Sequence, residues 1–71
     1  MHRYLIIIEA TSTGYSAYSP DLPGCVAAGA SQADVERAMR DAIALHVEGL
    51  REAGLPIPVG VTSATYVEVA A

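Results

Sequence analysis

Apolar and polar positions along the chain sort into three short β-type runs, one long helical stripe and a last β-type run. Arg3-Tyr4-Leu5-Ile6-Ile7-Ile8-Glu9 is β-branched, short and bounded by charge, which predicts a first strand. Thr11-Ser12-Thr13-Gly14 is a turn cluster, with a glycine available for a positive φ. Tyr15-Ser16-Ala17-Tyr18-Ser19 predicts a second strand, and Cys25-Val26-Ala27-Ala28, ended by Gly29, a third. Between them, Pro23-Gly24 suits the two central positions of a type II turn. Three strands joined by short loops make an antiparallel meander.

The helix carries the clearest signals. Ser31 is a good N-cap, with Asp34 at the third helical position and Glu36 also near the positive end of the macrodipole. Val35, Met39, Ile43, His46, Val47 and Leu50 recur at three- and four-residue spacing, with Ala38 and Ala42 between them. Arg37, Arg40, Asp41, Glu48 and Arg51 fall mainly off that stripe, and Arg37 is placed to pair with Asp41 one turn on. Gly54 predicts a left-handed cap, Leu50 and Leu55 take the contacting positions of a Schellman motif, and Pro56 prevents continuation. Thr65-Tyr66-Val67-Glu68-Val69 then reads as a final strand.

The order β-β-β-α-β makes the helix a crossover. A right-handed crossover places strand four beside strand one, in sheet order 3-2-1-4, so the expected fold is α+β in two layers with one helix on one face. That architecture conflicts with strand one, where Leu5 and Ile7 point one way and Tyr4, Ile6 and Ile8 the other. Two isoleucines left in water forfeit on the order of 3–6 kcal/mol relative to burial. Tyr4, Ile6 and Ile8 are therefore the expected oligomer interface, on the side that one helix leaves bare.

Size sharpens this expectation. At 71 residues and 7.4 kDa, the chain is one domain spanning residues 1–71, and area scaling gives a folded surface of roughly 4,200 Å². A core of that size rarely supplies more than about 3–5 kcal/mol without a staple, a metal or another chain. Cys25 is the one cysteine, so no internal disulfide forms, and with His2 and His46 it makes no metal-ligand spacing. Another chain is left as the source of added stability.

Charge narrows the partners. Four Lys+Arg against eight Asp+Glu give a net charge of −4, and lysine is absent. A phosphate-binding surface needs a basic face, so nucleic-acid binding by this chain alone is not expected, whereas a basic protein partner is suited. The aliphatic run at residues 5–8 meets Glu9 at once and is too short for a secretory core, and nothing approaches a membrane span of ~20 residues. A cytoplasmic protein is expected.

The stretch Tyr15-Ser16-Ala17-Tyr18-Ser19-Pro20-Asp21-Leu22-Pro23-Gly24-Cys25 resembles the hallmark of the HicB family of antitoxins. The likeness continues through Ala28-Gly29-Ala30-Ser31 into a helix containing Ala42-Ile43-Ala44-Leu45-His46-Val47-Glu48-Gly49-Leu50, and leaves through Gly54-Leu55-Pro56-Ile57-Pro58. It implies a partial RNase H-like fold that binds and occludes a small basic HicA-type toxin, an mRNA-cleaving ribonuclease. Longer family members add a C-terminal DNA-binding segment, and none is expected within residues 1–71.

Asp21 most simply bonds backbone amides and holds its turn, which would present Leu22 to a partner. Glu9, Asp21 and Leu22, with Tyr15 or Tyr18, are the candidate partner contacts; the two tyrosines face opposite sides of their strand. His46 reads as a core or boundary imidazole, Met39 as core filler and Cys25 as a small core hydrophobe. RNase H-type chemistry needs carboxylates converging on divalent metals, and Glu9, Asp21 and Asp41 are scattered over strand, loop and helix. No catalytic, cofactor or metal residue is assigned. The alternatives to an antitoxin are a self-associating module of unknown ligand and a degenerate RNase H-like hydrolase.

Overall fold

The computed structural model describes residues 2–71. Three strands, β1 (Ile7–Ala10), β2 (Tyr15–Tyr18) and β3 (Val26–Gly29), precede one helix, α1 (Gln32–Glu52). The strands form an antiparallel sheet in the order β1-β2-β3. The β1–β2 turn closes with the Thr11 N–H donating to the Gly14 carbonyl at 2.8 Å. Gly14 does not use a positive φ; only Gly24 and Gly54 do so among the described residues.

The β2–β3 connection follows its sequence signals. The Cys25 N–H donates to the Leu22 carbonyl at 3.0 Å and Gly24 sits at φ 85°, the geometry of a type II turn with Pro23-Gly24 at its centre. The Leu22 N–H donates to the Ser19 carbonyl and the Ser19 N–H to the Cys25 carbonyl, so the loop folds back on itself. Its effect is to drive Leu22 inward.

At the helix start, the Ser31 hydroxyl accepts from the Asp34 N–H at 3.1 Å, satisfying one of the first-turn donors. At the other end the Leu55 N–H donates to the Leu50 carbonyl and the Gly54 N–H to the Arg51 carbonyl, with Gly54 at φ 69°. That pair of bonds is the Schellman motif. Arg37 pairs with Asp34 at 3.2 Å instead of with Asp41, and Arg51 with Glu48 at 2.9 Å. Each is a solvated pair one turn apart, where a rotamer change decides the partner at little energy.

The core is small: Ala17, Leu22, Cys25, Val35 and Met39 are its buried hydrophobic members. Val35 and Met39 come from the first half of the helical stripe, which lies over β2 and β3. Its later members Ile43, His46, Val47 and Leu50 are only half-buried, because α1 outruns the four-residue strands beneath it.

Two expectations change. Tyr4, Ile6 and Ile8 lie on the helix side of the sheet, each partly buried against the core. The register explains it: Ile8 stands opposite buried Ala17, and directly opposed residues share a face. The side of β1 turned away from the helix is therefore that of Ile7, with Leu5 on the same parity before it, both half-buried. The fourth strand is also not part of this sheet. Residues 61–71 are exposed and make no ladder with β1 among the described residues.

Candidate partner interface

The open face of the sheet is built by register. Ile7 pairs with Tyr18 and Tyr18 with Val26, so the three form one cross-strand row on the side away from α1. Tyr18 is 41 % exposed and Val26 65 %. The neighbouring row on the same face is Glu9, Ser16 and Ala28, with the Glu9 carboxylate in solvent. An apolar ridge beside a negative charge is a surface that a basic protein can cover.

The candidate residues separate on this frame. Tyr18 and Glu9 share the open face. Tyr15 lies on the opposite side and packs against the core. Leu22 is 0 % exposed, touching the cluster that holds Val35 and Met39, so the turn does not present it to a partner. Enclosing an isobutyl side chain in a core this small is worth about 2 kcal/mol, which outweighs displaying it.

Asp21 does hold backbone amides, but not those of its own turn. Its carboxylate accepts from the Val61 N–H at 3.2 Å, the Thr62 N–H at 3.0 Å and the Thr62 hydroxyl at 2.8 Å. The Thr62 amide, then its hydroxyl, lower the Asp21 pKa below the ordinary carboxylate value of 3.8. The residue is a clasp between the β2–β3 loop and the segment after α1, 40 positions away in sequence.

Several residues entered this architecture without a sequence signal. Ser19 is buried, and its hydroxyl donates to the Leu5 carbonyl at 3.0 Å, tying the approach to β1 onto the end of β2. The Tyr4 hydroxyl donates to the Pro58 carbonyl at 2.6 Å. Val26 joins the open-face row only through the β2–β3 register. Its place could have been found from strand parity once the Tyr18 face was known.

The site offers little to chemistry. Among the described residues no three His, Cys, Asp or Glu side chains gather in a metal-holding group. Cys25 is 4 % exposed, and burial raises its thiol pKa, which keeps it protonated and unreactive. Among the described residues no helix is long and apolar enough to cross a membrane. What the surface can do is bind.

Comparison with known proteins agrees with the sequence motif. The family model described as the HicB-like antitoxin of bacterial toxin–antitoxin systems matches residues 4–70. The chain belongs to the HicB-like antitoxin family. An uncharacterised 14.9 kDa protein from the rep–hol intergenic region of Haemophilus phage HP1 is 36 % identical over 55 residues, 78 % of this chain. This chain spans 41 % of that relative's length. A chain of a solved HicA3 and HicB3 toxin–antitoxin complex superposes with a TM-score of 0.72 at 37 % identity, covering 84 % of this chain and 70 % of that one. A HicB fold thus accommodates the short sheet, the long capped helix and the Pro-rich exit found here.

Proposed function

We propose that this HicB-like chain neutralises a small basic HicA-type ribonuclease by binding it and occluding its mRNA-cleaving surface. The observation that carries the reading is the match to a chain from a HicA3 and HicB3 complex, a structure that pairs a toxin with its antitoxin. The open row of Ile7, Tyr18 and Val26 with Glu9 beside it supplies the contact surface. Asp21 contributes by holding the segment after α1, and Tyr15 by supporting the sheet from the helix side.

The chain acts as a stoichiometric inhibitor and not as an enzyme. Its net charge of −4 without lysine favours a basic protein over nucleic acid, so these 71 residues bind the toxin and do not by themselves bind nucleic acid. The toxin's substrate places the pair in the cytoplasm. A partial RNase H-like sheet completed by a fourth strand in the order 3-2-1-4, and self-association of the chain, complete the proposal.

The test is co-purification with the tagged product of an adjacent reading frame encoding a short basic protein, followed by RNA cleavage with and without this chain. The expected result is a stable complex and cleavage that stops at equimolar antitoxin. A chain that neither binds such a neighbour nor changes cleavage removes the proposal.

A further inference from the structure

Before the segment that follows α1, the exposed large hydrophobic side chains among the described residues are Tyr18, Val26 and Leu45. They meet at one edge of the sheet. Tyr18 stands opposite Val26 in the β2–β3 register. Val26, and Leu45 at 76 % exposure, line one groove of about 230 Å³ between β3 and α1, with Ala42 and His46 as further walls. The row Ile7-Tyr18-Val26 therefore does not stop at β3 but turns the sheet edge and continues to Leu45.

The backbone between these side chains is open. β3 ends the sheet order β1-β2-β3. The Ser19 N–H donates to the Cys25 carbonyl, and bonding alternates along an antiparallel pair, so Cys25, Ala27 and Gly29 turn their backbone groups toward β2. Val26 and Ala28 turn theirs outward, where no strand pairs with them among the described residues. The usual protections of an edge are missing: Cys25-Val26-Ala27-Ala28-Gly29-Ala30 contains neither proline nor charge. The chain's own C-terminal segment does not fill the place. No residue after α1 lines the groove. That segment runs instead beside the approach to β1, where residues 60–64 share a cavity with residues 3–6 and Gly60 abuts the Arg3 carbonyl.

Charge selects the occupant. Asp41, Leu45, Glu48 and Glu52 recur at four-, three- and four-residue spacing, which makes one stripe along α1. Asp41 and Glu52 join no ion pair among the described residues, and Glu48 pairs with Arg51 at 2.9 Å. Leu45 is thus an apolar side chain set in a row of carboxylates, and Glu9 adds a further negative charge on the open face. A second copy of this chain, itself at −4, brings like charge against that row, whereas a basic protein brings the opposite.

We infer that the basic partner adds an extended segment to the free edge of β3, pairing with the backbone of Val26 and Ala28. Its side chains alternate between two places: one set enters the groove against Leu45, and the other lies on the open face beside Val26 and Tyr18. Lysine or arginine residues flanking the segment face Asp41, Glu48 and Glu52. The inference rests on the proposed function and deepens it, making strand addition at β3 the mode of contact and carrying the footprint from the sheet onto α1.

Amide exchange of the full chain, free and in complex with the basic neighbour, tests it. Ala27 and Gly29 are expected to be protected in both states, and Val26 and Ala28 only in the complex. Leu45→Glu should leave the urea midpoint unchanged, because the side chain is exposed, and should weaken the complex about tenfold or more; Leu45→Met should keep the affinity. A complex that forms with the Val26 and Ala28 amides still exchanging overturns the inference and leaves the proposed function standing, as does wild-type affinity in Leu45→Glu. Protection of both amides in the free chain, lost on dilution, would give the edge to a second copy and overturn it too. A wild-type chain that binds no basic neighbour fails earlier, at co-purification, and removes both.

Discussion

The Asp21 carboxylate grips Thr62 through both its amide and its hydroxyl, at 3.0 and 2.8 Å, across 41 positions of sequence. A group whose pKa is lowered on folding stabilises the fold above its unfolded value and loses that contribution as pH falls through the folded one. Asp21 titrates below 3.8 because Thr62 holds its charged form. The clasp is therefore expected to be intact at neutral pH and to open only in acid below that value. Amide exchange at Val61 and Thr62 checks this: Asp21→Asn should raise exchange at neutral pH while Val35 and Met39 amides stay protected. Unchanged exchange in the variant would refute the clasp.

Leu22 is core, and its truncation should act through folding. Leu22→Ala is expected to cost about 2–5 kcal/mol, comparable to the whole of about 3–5 kcal/mol that a core this small supplies. Urea titration followed by circular dichroism should find the variant largely unfolded without denaturant. A variant that stays folded yet loses its partner would instead mean that Leu22 is displayed.

The two helix ends offer smaller, local effects. Ser31→Ala removes the acceptor for the Asp34 N–H and should lower stability by about 1 kcal/mol. Gly54→Ala places a Cβ at φ 69°, where strain costs about 1–2 kcal/mol. Urea midpoints should fall in both variants with slopes unchanged, and because the sites are distant, the double variant should show the sum.

Tyr18 tests the open face. Being 41 % exposed, it can be cut to alanine with little effect on the urea midpoint. If its row covers the toxin, Tyr18→Ala should weaken binding by about 2 kcal/mol, roughly thirtyfold in Kd. Glu9→Arg should mainly slow association and flatten its salt dependence, as expected for a charge at the rim. Calorimetry and stopped-flow mixing with the basic partner measure the two. Wild-type affinity in Tyr18→Ala would move the interface elsewhere.

Much of this protein was determined by neighbours a few residues apart. Ser31 three positions before Asp34, Leu50 five before Leu55, and Pro23 beside Gly24 each fix a cap or a turn through bonds that close within one turn of backbone, so sequence spacing alone reveals them. The family motif is of the same kind, a run of adjacent residues from Tyr15 to Cys25. What depended on distant partners was decided only by the tertiary structure. Strand parity placed Tyr4, Ile6 and Ile8 together but left open which side the helix would lie on, because β1 is apolar on both. Leu22 and Asp21 are adjacent, yet the loop turns one into the core and the other toward Thr62. The run from Thr65 to Val69 has the composition of a strand, but a strand needs an edge to pair with, and residues 61–71 form no ladder with β1 among the described residues.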